Sequence, residues 1–143
     1  MANIVYTNYL RLLMSGHIDL LQDSIRVMLL SGSYTPNTGH HLVSSVIPHQ
    51  AWDLLGSYVS GGQLLVGRTL TDVGGDIAFD ASDVSWSSST ITASGAVLWN
   101  SGAGGPTNHH LIAWIELGNQ SSTNGVFQIV WNNSNGIFKI GDS

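Results

Sequence analysis

Residues 90–99, with the sequence TITASGAVLW, decide the fold that we predict for this chain. Every second position from Ile91 to Trp99 is apolar or glycine, which places one continuous apolar face along an extended segment. The opposite face begins with Thr90 and Thr92, whose side chains suit a solvated sheet surface. The segment is therefore predicted to be a strand of an antiparallel sheet with one face in the core.

The same alternation extends in both directions from this strand. Residues 24–30 (SIRVMLL) and 126–131 alternate likewise, and residues 109–117 are apolar on both faces. Residues 61–73 contain Leu64, Val66, Leu70 and Val73 among threonines and glycines. A short segment that is apolar on both faces is typical of a central strand, because both of its faces must be covered. These patterns predict strands spread over about residues 24–140.

One segment near the N-terminus has helical spacing instead. An apolar stripe recurs there at intervals of three and four residues, and it consists of Tyr6, Tyr9, Leu10 and Leu13. Gly16 follows the stripe, and glycine is the usual residue just beyond a helix end. We predict one short helix over about residues 4–15.

Glycine-rich turn signals separate the predicted strands. They lie at residues 31–33, 61–62, 74–75, 102–106, 124–125 and 135–136. Short strands broken so regularly predict an antiparallel β-sandwich or a partly open barrel, formed as a single domain over residues 1–143. The pair Asn135-Gly136 predicts a terminal hairpin, because both residues tolerate positive φ. Residues 35–60, which hold two of the three prolines, are predicted to form a long loop.

The composition excludes several classes of partner. Charged residues make up 9% of the chain, and the net charge is −5. The four basic residues are dispersed, whereas binding duplex DNA needs several phosphate contacts, so we expect no nucleic-acid partner. No apolar run approaches the roughly 20 residues that span a bilayer, and the N-terminus lacks a signal-peptide pattern. With no cysteine, the chain has neither disulfides nor thiolate metal ligands.

Longer stretches of the chain resemble a family of small structural proteins of tailed bacteriophages. The resemblance begins with LLMSGHIDLLQDSIRVMLLSGSYTPNTGHHLVSSV (residues 12–46) and continues with SYVSGGQLLVGRTLT (57–71) and IAFDASDVSWSSSTITASGAVLWN (77–100). It ends with LIAWIELG (111–118) and SSTNGVFQIVWNNSNGIFKI (121–140). It covers nearly the whole chain in order. One departure is a neutral loop with His40 and His41 where the family carries more acidic residues.

The resemblance implies a virion component made in the bacterial cytoplasm. The position it favours is the phage head, as a capsid decoration (cement) protein that binds the major capsid protein. The alternative is a tail, tail-tip or fibre-associated structural or receptor-binding module. Closed cyclic symmetry and the three-fold positions of a capsid lattice lead us to expect self-association as a homotrimer. The resemblance supplies no catalytic residues.

The sequence supports a metal site or an enzymatic activity less well than it supports a structural role. The pairs His40-His41 and His109-His110 offer imidazoles, but neighbouring residues of a strand point to opposite faces. Asp80 and Asp83 fit a turn in which the carboxylates bond their own backbone better than a calcium loop. No nucleophile elbow, HExxH or phosphate-binding loop occurs, so we expect no cofactor, no metal and no catalysis.

The side chains expected to contact other proteins lie in the predicted loops. Aromatic residues often anchor interfaces, and the irregular segment and the Gly102–Pro106 loop offer uncharged contact surface. The candidate interface residues are Trp52, Tyr58, Tyr34, His40, His41 and Pro106. Trp52 is the strongest of them, because the other four tryptophans fall in strand patterns.

Overall fold

A computed structural model describes residues 4–16, 19–51, 58, 61–101, 110–131 and 136–140. Within these residues, one α-helix, α1 (Thr7–Met14), lies among ten strands. The strands are β1 (Ile4–Val5), β2 (Ile25–Leu30), β3 (Gln63–Leu64), β4 (Thr69–Val73), β5 (Asp76–Asp80), β6 (Val84–Ser89), β7 (Thr92–Asn100), β8 (His110–Ser121), β9 (Gly125–Ile129) and β10 (Phe138–Ile140).

The strands form one large and two small antiparallel sheets. The large sheet has the order β1-β8-β7-β2-β3, and the small sheets have the orders β10-β5-β4 and β6-β9. The predicted fold class is confirmed, since the chain is mainly β and antiparallel with one short helix, in a sandwich-like arrangement.

The helix is shorter than the predicted span of residues 4–15. Ile4 and Val5 form a strand that pairs with Trp114 and Ala113 of β8. The N–H of Tyr6 still donates to the carbonyl of Ile112, at 3.0 Å, so the chain leaves the sheet only at Thr7. A sheet hydrogen bond thus replaces the first predicted helical turn.

The large sheet is covered on both faces. On one face, the first core joins it to the small sheets and to α1; its larger members are Ile25, Val27, Leu29, Leu98, Ile115, Phe79, Trp86, Phe127, Phe138 and Tyr9. On the other face, the second core contains Tyr6, Met28, Leu30, Tyr34, Val43, Val46, Val97, Trp99, Leu111 and Trp114. The layer over this second core comes largely from residues 31–50, which we call the cover segment.

The cover segment overlaps the predicted long loop of residues 35–60 over residues 35–50. It contains two 3₁₀ turns, Val43–Ser45 and Ile47–His49, and is otherwise irregular. Val43 and Val46 are buried against the large sheet, so an irregular backbone supplies apolar side chains to the core. Residues 52–57, 59 and 60 lie outside the described part of the chain.

The alternation predicts one continuous apolar face from Ile91 to Trp99, but strand β7 does not present such a face. The pairing with β8 shifts between Ala93 and Gly95, which marks a bulge. Ile91 and Ala93 therefore face the first core, whereas Val97 and Trp99 face the second. The alternation is correct on each side of the bulge, but the bulge exchanges the two faces.

The large sheet and the β6-β9 sheet are joined at a polar corner, where β6 leads into β7 and β8 leads into β9. Ser89 is fully buried there, and its hydroxyl donates to the carbonyl of Trp86 at 3.0 Å and contacts the Ser122 hydroxyl at 2.9 Å. The N–H of Ile91 donates to the Ser122 Oγ at 3.3 Å. These serine hydroxyls satisfy backbone groups that lose their sheet partners where the chain changes sheets.

The predicted terminal hairpin at Asn135-Gly136 is wrong. Strand β9 pairs with β6, whereas β10 pairs with β5. Phe138 of β10 packs against Phe79, with ring centroids 5.4 Å apart, and against Tyr9, at 6.2 Å. Burial of Phe138 in this aromatic group outweighs the local turn preference of the Asn-Gly pair. The tight hairpin of the small sheet lies at Gly74-Gly75 instead, between β4 and β5.

Candidate functional site

Tyr34 of the cover segment, a candidate contact residue, lies in the second core. Its hydroxyl is 2.8 Å from the Tyr6 hydroxyl and 2.9 Å from His40 Nδ1, and its ring lies 5.4 Å from that of Trp114. Burial raises the pKa of both tyrosine hydroxyls, because a phenolate is poorly solvated in the interior. Tyr34 holds the cover segment to the sheet and does not present its ring to a partner.

The two neighbouring histidines of the cover segment have different surroundings. His40 is half-buried against Tyr34, with ring centroids 5.6 Å apart. His41 is exposed, and its backbone carbonyl accepts from the N–H of Leu111 at 2.9 Å. Backbone pairing thus fixes the segment while the His41 side chain stays at the surface. Of the predicted contact residues that the structure describes, His41 is the one with an exposed side chain.

Tyr58 is buried and bonded at the edge of the large sheet. Its hydroxyl accepts from the N–H of Leu29 at 3.1 Å and donates to Gln50 Oε1 at 2.9 Å. Gln50 Oε1 also accepts from the N–H of Gly61, at 2.9 Å. The Tyr58 hydroxyl thus takes the place of a backbone acceptor for the Leu29 N–H, while the Leu29 carbonyl accepts from the N–H of Ala51 at 2.9 Å. Tyr58 therefore has a structural role inside the chain. Trp52 and Pro106, the remaining candidates, lie outside the described residues.

The histidine and aspartate groups do not converge on a metal site within the described residues. The Asp80 carboxylate accepts from the neighbouring N–H of Ala81 at 2.8 Å, as the turn interpretation predicted. The Asp83 carboxylate accepts instead from the N–H of Trp131 at 3.0 Å, a contact between distant parts of the chain. Asp76 is buried, with its Oδ2 4.0 Å from Lys139 Nζ. His109 lies outside the described residues.

Sequence reasoning missed an apolar groove beside strand β4, which we call the β4 groove. It is lined by Leu13, Leu20, Leu70, Ile77, Phe79, Phe138 and Ile140. Leu70 and Ile77 are 47% and 43% exposed, and Met14, next to Leu13 in the chain, is 86% exposed. Large apolar side chains that remain exposed side by side mark a surface suited to binding.

The sequence held a partial signal for this groove. Leu70 and Ile77 belong to strands that flank Gly74-Gly75, and in a two-residue hairpin their strands are neighbours. The contributions of Leu13 and Leu20 had no such signal, because they depend on how α1 packs against the small sheet.

Within the described residues, no helix combines the length and the apolar character needed to cross a bilayer.

Comparisons of the chain with protein-family models, with curated proteins and with solved structures found no match.

Proposed function

We propose that this protein is a non-enzymatic structural component of a tailed-phage virion. In this proposal it is a capsid decoration protein, located on the phage head, that binds the major capsid protein and stabilises the shell. It self-associates, and a homotrimer would match the three-fold positions of a capsid lattice. The resemblance over residues 12–140 supports the class of protein. The structure bears on the type of contact that the protein makes with its partners.

The observation that carries the proposal is an exposed surface rich in apolar side chains and poor in basic ones. Leu70 and Ile77 are exposed in the β4 groove, Met14 is exposed at the end of α1, and Val126 and Val130 are 61% and 66% exposed near β9. Four basic residues in 143 can form few ion pairs. Contact with another protein, or with a second copy of this chain, would therefore depend on burial of apolar surface, which excludes water and needs no charge.

Copy number tests the proposal directly. Quantitative gel staining of purified virions should show this protein at hundreds of copies per particle, comparable with the number of capsid subunits. A handful of copies would favour the alternative, a tail, tail-tip or fibre module. Absence from purified virions would contradict both positions.

Attachment to the head should also resist salt. In about 1 M NaCl the screening length is about 3 Å, so ion pairs at the surface are weakened while apolar contacts are not. We expect particles to retain the protein after such a wash, by gel analysis of the pelleted heads. Release of the protein into the supernatant would show that charge holds it on the shell. Particles stripped of it by other means should burst at a lower temperature.

A further inference from the structure

We propose that strand β4 is a contact between two copies of this chain, which pair edge to edge in antiparallel fashion across a two-fold axis. Strand β4 is the last strand in the order β10-β5-β4, and Thr69 to Asp72 are all exposed. Within the described residues, its outer edge pairs with no other strand. This inference concerns the chain itself and does not depend on the proposed virion role.

Strand β4 lacks most of the features by which edge strands avoid pairing, and its one charged residue is Asp72. Such strands carry lysine, proline or a bulge. Strand β4, with the sequence TLTDV, has none of these, and all five of its residues keep regular register with β5. The opposite edge of the same sheet, β10, is three residues long and contains Lys139. The two edges thus differ, and β4 is the longer edge and the one without lysine.

The hairpin geometry identifies which backbone groups of β4 point away from β5. Val73 and Asp76 flank the two-residue turn, so they form a hydrogen-bonded pair, and such pairs alternate along an antiparallel ladder. Thr71 and Thr69 also direct their backbone groups toward β5. The N–H and C=O groups of Leu70 and Asp72 consequently point to the outer side, where an incoming strand can bond them.

Charge selects the identity and the register of that incoming strand. With Leu70 on the two-fold axis, Leu70 faces its own copy, and Arg68 of each chain faces Asp72 of the other. Opposite charges across a strand pair are favourable, whereas an axis through Asp72 would place two carboxylates face to face. Arg68 Nη1 bonds the carbonyls of Leu20, at 2.9 Å, and Asp23. These contacts hold the guanidinium at the start of β4, on the side of the β4 groove.

The same register covers apolar surface. Leu70 and Ile77 line the β4 groove and are nearly half exposed. An axis through Leu70 brings the grooves of two copies together and buries Leu70 against its copy, which removes apolar area from water. Because the contact is two-fold, a chain that is otherwise monomeric becomes a dimer, and a trimer becomes a hexamer where the two-fold axes cross the three-fold axis at right angles.

Sedimentation equilibrium of the purified full chain, with and without Leu70→Lys, tests the contact. Leu70 is exposed, so lysine there should leave the fold intact by circular dichroism, and it should halve the mass of the assembly. Leu64→Lys places the same charge on a leucine of similar exposure, 45%, in the edge strand β3 of the large sheet, and it should leave the mass unchanged. A wild-type chain that is monomeric at all concentrations overturns the proposal, as does a mass that Leu70→Lys does not change.

Single cysteines test the register, because the chain contains no cysteine of its own. Hydrogen-bonded partners across an antiparallel pair have Cα atoms about 5.5 Å apart, within the range of a disulfide. Leu70→Cys should therefore form a covalent dimer on mild oxidation. Thr71→Cys should not, because in this register its Cα atoms are about 8 Å apart, given the rise of about 3.4 Å per residue. Cross-linking at Thr71 and not at Leu70 would overturn the Leu70-centred pairing.

Discussion

Two buried tyrosine hydroxyls differ in whether they have hydrogen-bond partners. The Tyr58 hydroxyl bonds the N–H of Leu29 and the side chain of Gln50. The Tyr9 hydroxyl is buried as well, but it has no partner among the described residues. A buried polar group without a partner costs free energy relative to its hydrated state in the unfolded chain. At residue scale, the same chemical group therefore stabilises at one position and destabilises at the other.

Replacing each tyrosine by phenylalanine should show this difference. Tyr58→Phe leaves the Leu29 N–H without its acceptor inside the protein, so the free energy of unfolding should fall by about 1–3 kcal/mol. Tyr9→Phe, the matched control, removes an unpaired hydroxyl and should leave that free energy unchanged or raise it. Urea unfolding of both variants measures the effect. Equal losses in the two variants would contradict the hydrogen-bond argument.

At the scale of elements, β7 and β8 fit together because β7 carries a glycine beneath a tryptophan. A Cβ atom at Gly95 would lie 2.0 Å from the Trp114 ring, far inside van der Waals contact. Trp114 is 2% exposed and packs in the second core, so its ring cannot move aside into solvent. The bulge at this point of β7 sets the position of Gly95 relative to the ring.

Gly95→Ala should accordingly destabilise the protein although alanine suits a strand at least as well as glycine. Overpacking of this kind costs about 1–3 kcal/mol, and the near-ultraviolet circular dichroism of Trp114 should change with it. Gly125→Ala is the control, because its added Cβ would have its nearest contact at 3.5 Å. We expect less than about 0.5 kcal/mol there. A Gly95→Ala variant as stable as the control would show that the ring has room to move.

The elements that the sequence predicted correctly are those whose signal is local. Alternation located the strands, and Gly74-Gly75 marked a real hairpin. Two errors arose where long-range packing decides. The bulge in β7 exchanges the two faces of the strand. No residue pattern marks the bulge, because residues 95–99 are apolar on both faces of the strand. Asn135-Gly136 has hairpin chemistry, but Phe138 finds its aromatic partners on β5.

The candidate contact residues show the same limit. Tyr34 and Tyr58 lie in an irregular segment, and their aromatic character suggested exposed anchors. Each instead bonds a group that is distant in sequence: Tyr34 bonds Tyr6, and Tyr58 bonds Leu29. Neither contact produces a periodic pattern in the sequence. The β4 groove was missed for a related reason, since it combines α1, residue 20 and three strands.

At the scale of the whole molecule, all four tyrosines are buried, and burial raises the pKa of each hydroxyl above 10.0. In the unfolded chain they ionise near pH 10, so above that pH the unfolded state binds fewer protons than the native state. The contribution of these four hydroxyls to the free energy of unfolding is therefore fully present below about pH 10 and is lost as the pH rises further. The loss should be about 1.4 kcal/mol per pH unit for each tyrosine that stays protonated.

Urea unfolding between pH 8 and pH 11 should show this steep alkaline decline. Tyr9→Phe removes one of the four groups and should make the slope shallower by the share of one proton. A free energy of unfolding that stays constant up to pH 11 would mean that the tyrosines ionise in the native state as readily as in the unfolded chain.

The order of strands in the large sheet has a consequence for synthesis on the ribosome. Strand β2 pairs with β7, and β1 pairs with β8, so the N-terminal strands lack their main partners until residues 92–121 have been made. At about 5–20 residues per second, the ribosome needs roughly 4–15 s to travel from β2 to the end of β7. During that interval the apolar residues 25–30 are available to chaperones, and a pause in translation before β7 would prolong their exposure.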